Sequence, residues 1–204
     1  VWHLADFRME MPITLRRRDN LGGIDWDRYT HIIFPSGDYD DYEPKFAGRL
    51  RQWVSEGGTA IGMREAAAWL RATTLDWVDP LSEEGLATMA EPEEVAGKAD
   101  EEASEQKRLP YSELDDFKAA KVIGGAIFAA DLDVTHPLGF GYANRSIFLH
   151  KNVEEPMLPT ENPFATVIAY TDDPVFSGFV SNENRDALAG TPSLLAERSG
   201  DGSV

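Results

Sequence analysis

Short apolar runs that alternate with amphipathic stretches constrain this chain more than any other feature. Tyr29-Thr30-His31-Ile32-Ile33-Phe34 and Thr59-Ala60-Ile61-Gly62-Met63 read as strands, each closing on an abrupt turn. Between them, Pro44 to Glu56 places Phe46, Leu50, Trp53 and Val54 on one face at spacings of three and four, which predicts a helix. Gly57-Gly58 supplies its left-handed cap. Strand, helix, strand in that order predicts βα units and a mainly parallel sheet. Further strands are expected at Pro12–Leu15, Lys121–Ala129, Ser146–Leu149, Ala165–Tyr170, Ser177–Val180 and from Ser193 to Glu197, with helices over Arg64–Leu70 and Asn182–Leu188. Val1 to Arg8 reads as the end of a helix with Trp2, Ala5 and Met9 on one face, and the turn from Gly200 to Val204 should lead into one more strand. The expected core comprises Ile32, Ile33, Phe34, Ala60, Ile61, Val167 and Ile168, with helices on both sheet faces and Trp53 buried.

At 204 residues the chain can bury roughly 70% of its unfolded surface, so one domain over 1–204 is expected. Residues 82–116 break the pattern. Glu91, Glu93, Glu94, Asp100, Glu101, Glu102 and Glu105 crowd there while large apolar residues thin out, which predicts an acidic surface insertion with a loose helix near Pro92–Gln106. The formal charge of −17 argues against nucleic acid as a partner, since phosphate binding needs clustered Lys and Arg. Arg16-Arg17-Arg18 is too short to reverse that. No apolar run reaches the roughly 20 residues that span a bilayer, and no signal peptide is visible. A first residue other than Met implies a piece of a longer polypeptide.

Chemistry is tightly bounded. Without cysteine there is no disulfide, no thiolate metal site and no Cys nucleophile. There is no Gly-x-Ser-x-Gly elbow either. A carboxypeptidase-type zinc site needs a His-x-x-Glu pair, but Asp6, Phe34, Gly139 and Val153 follow His3, His31, His136 and His150 at that spacing. No metal or other cofactor is expected in this chain. The loop after the first good strand lies at a strand's C-terminal edge, where open α/β sheets place ligands. There Asp38-Tyr39-Asp40-Asp41-Tyr42 offers oxygen ligands for Ca²⁺ or Mg²⁺ and tyrosines to stack on a sugar, although it lacks the spacing of a known Ca²⁺ loop and reads more simply as solvated. The ligand-binding candidates are Ser36, Asp38, Asp40, Asp41 and Tyr42; Ser36 reads otherwise as a turn residue. Asp131 and Asp133 alternate along a strand and are expected to cap backbone amides, with the His136 ring fixing the turn that follows.

Several runs carry a resemblance: Leu50 through Thr59, Gly125-Ala126-Ile127-Phe128, Asp131 through Tyr142, and Pro174 through Phe179. They resemble the class I glutamine amidotransferase-like domain that follows the catalytic domain in large bacterial zinc carboxypeptidases of the M14 type. The resemblance implies a three-layer flavodoxin-like fold, helices on both faces of a mainly parallel central sheet, with a first strand before Val1 and a final one after Val204. It places Met63 where working amidotransferases carry the nucleophilic Cys, and His136-Pro137-Leu138 nearest their His-Pro-Glu. A thioether has no ionisable proton, so the resemblance implies no catalysis by this chain. What it implies instead is an accessory domain packed on the carboxypeptidase domain of the same polypeptide, in a periplasmic or secreted protein whose zinc sits in that other domain. The alternative is a small-molecule or carbohydrate-binding module using the crevice near Ser36, Asp38 and Met63.

Overall fold

The computed structural model describes residues 1–39, 41–42, 44–75, 110–153 and 156–204. Residue contacts gather into two compact units, Val1–Glu91 with Glu197–Val204, and Pro92–Ala196.

In the first unit the helical spacing is realised as α1, Pro44–Ser55, with Leu50, Trp53 and Val54 buried. Its end is fixed by backbone geometry. Gly57 adopts φ 116°, and the amides of Gly57 and Gly58 then donate to the Val54 and Trp53 carbonyls, both at 3.0 Å. That is a Schellman cap, which a side chain at Gly57 would strain. Strands β1, His31–Phe34, and β2, Thr59–Gly62, flank the helix and pair in parallel from His31↔Thr59 to Phe34↔Gly62. Helix α2, Glu65–Leu75, follows β2 directly.

On one face of this sheet Phe34 and Ala60 pack with Leu50, Trp53 and Val54 of α1 and with Ala66 and Leu70 of α2. Both helices therefore cover the same face. Right-handed crossovers that advance in one direction along a sheet have that consequence, and it corrects the expectation of helices on both faces among the described residues. Ile33 and Ile61 are in register on the opposite face, and Ile61 is 39% exposed, so it is not a core residue. Rings dominate the core: Trp26 lies 5.8 Å from Trp53, and Phe34 5.4 Å from Trp69.

The second unit overturns the expectation of one mainly parallel sheet. Strands β3, Ala126–Leu132; β4, Ser146–Lys151; β5, Thr166–Ser177; and β6, Pro192–Leu195, lie in the order β4-β3-β5-β6, every pair antiparallel. In β3, Ala126, Phe128, Ala130 and Leu132 are buried while Ile127 and Asp131 are exposed. Strict alternation with one solvated face belongs to antiparallel sheets; parallel strands are covered on both faces. Val167 is buried as expected and Ile168 only half-buried. The two strands expected at Ala165–Tyr170 and Ser177–Val180 are replaced by the single long β5, which meets β3 with register shifts. A short 3₁₀ turn, Tyr111–Glu113, leads into α3, Leu114–Ala120. This part of the expected insertion is therefore helical; its remainder, with the helix expected near 92–106, lies outside the described residues. Helix α4, Asn182–Leu188, matches its expected bounds, and its Ser181 cap accepts the Asn184 amide. Phe128 and Tyr170, 5.6 Å apart and edge to face, centre a core completed by Ile123, Ala126, Ala130 and Leu188.

The chain ends back in the first unit. Strand β7, Arg198–Ser199, turns antiparallel into β8, Gly202–Ser203, which pairs in parallel with β2 through Thr59↔Ser203. Gly202–Ser203, expected as part of a turn, thus already form a strand. Pro12–Leu15 forms no strand, and Leu15 stays 67% exposed. Near the start, His3–Arg8 is a π-type helix that buries Ala5 and leaves Trp2 and Met9 in solvent.

Candidate functional site

Parallel pairing brings the loops after β1 and β2 to one edge of the first sheet, the edge where α/β sheets hold their ligands. Beyond β1 run Pro35, Ser36, Gly37, Asp38 and Tyr39; beyond β2 run Met63, Arg64 and the first turn of α2. Two contacts tie these loops together. The Met63 amide donates to the Phe34 carbonyl at 3.0 Å, and the Ser36 hydroxyl donates to the Glu65 carboxylate at 2.6 Å. They enclose an open crevice of about 560 Å³ lined by Ser36, Asp38, Tyr39, Glu65 and Trp69, among others.

Glu65 is the residue that sequence reasoning missed here. Its carboxyl is held below the usual glutamate range, chiefly by the Ser36 hydroxyl, with help from its own amide, the Arg64 charge and the Gly37 amide. A carboxylate so stabilised is a weak general base, because proton abstraction loses driving force as the base pKa falls. The Ser36–Glu65 pair therefore works as a clamp between loops better than as a nucleophile with its base. The folded-state pKa is depressed, so its contribution to stability is present above the unfolded pKa and is lost as pH falls through the folded one. Ser36→Ala is expected to raise the Glu65 pKa toward its ordinary value and move that acid loss to higher pH. Carbon-detected NMR titration of the Glu65 carboxyl measures this, and an unchanged midpoint would contradict the clamp.

The tyrosines behave differently from the sugar-stacking expectation. Tyr39 is buried, donates to the Pro35 carbonyl at 2.7 Å, and packs 5.2 Å from Trp69. Tyr42 is half-buried and stacks on Tyr39 at 5.3 Å with an 11° interplanar angle. Both rings are spent largely on the core. Asp38 and Asp41 are exposed, and Asp40 lies outside the described residues.

The corner between β2 and α2 is tight and strained. Arg64 takes φ 58°, a left-handed value that side chains rarely adopt. A Cβ on Gly62 would lie 2.7 Å from the Ala67 Cα, and Ala66 is fully buried. Small residues two before and two after a strained corner residue define the elbow pattern. The corner residue is thus Arg64, with Met63, 42% exposed, one position before it.

His136, Asp131 and Asp133 belong to the second unit. Asp133 Oδ1 accepts from the Thr135 amide at 2.8 Å and its hydroxyl at 2.6 Å, and the hydroxyl is the larger cause holding its carboxyl low. The His136 ring accepts the Leu138 amide through Nδ1 at 3.2 Å, which fixes the turn. Asp131 is exposed opposite Ser146. Among the described residues no three His, Asp or Glu side chains converge as a metal ion would need, and no helix is long and apolar enough to cross a membrane. No family model matches the chain, and no curated protein or solved structure matches it.

Proposed function

We propose that this chain is a non-catalytic accessory domain of a zinc-carboxypeptidase-related protein, built on a flavodoxin-like, amidotransferase-like plan. The corner at Arg64 carries the reading. It keeps the strained backbone and small flanking residues of an elbow while holding a guanidinium, which does not deprotonate and cannot attack a carbonyl. The parallel β1-β2-β8 arrangement with α1 and α2 supports the fold part of the proposal. A fold kept without its nucleophile still offers a surface, and a peptidase domain on the same polypeptide is its natural partner. Covalent linkage gives even a weak interface an effective concentration on the order of millimolar. Periplasmic or secreted placement belongs to the same reading.

The experiment compares the parent polypeptide with and without this region. Its deletion is expected to lower the melting temperature of the peptidase domain or alter peptidase activity; two unchanged values would sink the reading. Within the intact protein, Arg64→Gly removes the positive-φ strain and is expected to stabilise by about 1 kcal/mol in urea unfolding, with peptidase activity unchanged. A glutaminase or esterase turnover that disappears in that variant would show that the corner is catalytic after all.

A second reading, a small-molecule or carbohydrate-binding module using the crevice near Ser36, Asp38 and Met63, has an open crevice behind it whose lining includes Ser36, Asp38 and Trp69 but not Met63. Chemical-shift changes at these residues on adding saccharides would favour it over the first.

A further inference from the structure

What the crevice beside β1 and α2 offers a ligand depends on which of its protons are already committed. The Ser36 hydroxyl donates its one proton to Glu65 at 2.6 Å, and the Tyr39 hydroxyl donates its own to the Pro35 carbonyl at 2.7 Å. The Gly37 amide also serves Glu65. A hydroxyl whose proton is engaged keeps only acceptor lone pairs, and a carboxylate has nothing else. Ser36, Asp38 and Glu65 therefore line the crevice with acceptors. Such a lining is matched by a donor.

Charge and shape narrow the choice. Asp38 and Glu65 are carboxylates, no cation lines the crevice, and Glu65 is held in its ionised form by its hydrogen bonds. Arg64, next to Glu65, offsets at most one of the two charges. The chain as a whole carries −17, a field that repels anions and gathers cations. Calcium is poorly served, because it takes about six to eight oxygen ligands, and among the described residues no three acidic or His side chains converge. Tyr39 has no open face for a sugar: it stacks on Tyr42 at 5.3 Å and meets the Phe34 ring edge to face at 5.7 Å. Trp69 is half-buried and supplies an aromatic wall beside the carboxylates, which suits a cation on an apolar stem.

We infer that this crevice binds a small aliphatic amine in its ammonium form, the charged head on Asp38 and Glu65 and the alkyl stem along Trp69. The inference rests on the second reading above, ligand binding at the crevice, and names the class of ligand. An ammonium carries donors and no acceptor, so every polar group it brings finds a partner here. An added carboxylate would bring acceptors to acceptors, and a neutral hydroxyl would forgo the charge-assisted bonds. A diamine gains further over a monoamine from the net negative field. Because Ser36, Asp38 and Glu65 are exposed, the binding is weak and falls as salt screens it.

NMR titration of the whole chain with diaminobutane, at neutral pH and fixed ionic strength, is the test. Saturable shifts are expected at the amides of Ser36, Gly37, Asp38 and Ala68 and at the Trp69 indole. Butanediol keeps the stem without the charge, and succinate reverses the charge; both should leave these signals unmoved. Glu65→Gln keeps the size and removes the charge, and should weaken diamine binding about tenfold or more. Asp38→Asn, which leaves the Ser36–Glu65 bond in place, should weaken it too and decides the matter if Glu65→Gln does not fold. Diamine shifts that never saturate, or that are as large at the exposed Asp131 and Asp173, would be counter-ion association and would overturn the proposal. Butanediol binding as well as the diamine would overturn it equally. Saturation by calcium or glucose but not by the diamine would remove the amine and leave the binding-module reading standing, whereas no saturable shift with any of these compounds would remove both.

Discussion

Trp53→Ala should cost about 3–5 kcal/mol, the range for removing a large buried aromatic side chain. Trp53 is 5% exposed and sits where α1 meets the sheet, with the Trp26 ring 5.8 Å away and Gly58 closed down on its face. The ring is too large for its neighbours to fill its space, because Gly58 and Ala60 have no atoms to extend and Trp26 is held by Phe46 at 5.5 Å. The readout is specific: all five tryptophans lie between residues 2 and 77, so tryptophan fluorescence in urea follows the first unit. Phe7→Ala, at a side chain 73% exposed, serves as the comparison and should stay within about 0.5 kcal/mol of the unaltered chain. A Trp53→Ala loss no larger than that of Phe7→Ala would mean that the aromatic cluster does not anchor α1.

Much of the local structure was legible because it depends on local periodicity. Helix α1, its glycine cap, β2 and α4 all sit within a residue or two of their expected bounds, since spacing, capping and turn chemistry are written along the chain. Strand partners are not written that way. A short apolar run does not declare whether its neighbour runs parallel or antiparallel. In β3 the alternation that marks an antiparallel sheet was masked by alanine: Ala126 and Ala130 face inward, but Ala129 on the other phase is just as apolar. Ile61 shows the complementary limit, because hydrophobic character predicts burial only in one direction.

The site was legible in place and obscure in detail. The loop after β1 and the turn after β2 were recognisable as a sheet edge, yet Ser36 and Glu65 lie 29 residues apart and meet only through β1–β2 pairing. Met63 lies in the turn after β2, where the sequence places it, but the strained backbone falls on the next residue for a related reason. A positive φ on glycine is a fair guess from sequence, whereas a positive φ on Arg64 is imposed by the packing of α2 against β2. The tyrosines of the acidic turn looked like ligand platforms because their solvent side is polar in sequence. Trp69, thirty residues on from Tyr39, is what draws the two rings inward.

Gly62→Val tests that packing directly and should cost about 3 kcal/mol, the upper end of the usual overpacking range. A Cβ at Gly62 would lie 2.7 Å from the Ala67 Cα, 2.8 Å from the Ala66 carbonyl oxygen and 2.9 Å from the Ala67 nitrogen. All three are backbone atoms of α2, so no side chain can swing aside; the helix must move away from β2. That movement carries Glu65 with it, because Glu65 is the first residue of α2. The 2.6 Å bond from Ser36 should then be lost, and the Glu65 pKa should rise toward its ordinary value. Stability and titration are thereby linked in one variant. Gly48→Ala provides the opposite sign: Gly48 lies inside α1, a Cβ there meets nothing within 4 Å, and alanine should stabilise the helix by about 0.5–1 kcal/mol. Urea unfolding followed by fluorescence, together with the Glu65 carboxyl titration, reads both variants. A Gly62→Val chain that unfolds with the unaltered midpoint and keeps a low Glu65 pKa would show that α2 has room to spare, and Arg64 would then be strained for some reason other than the closeness of helix and strand.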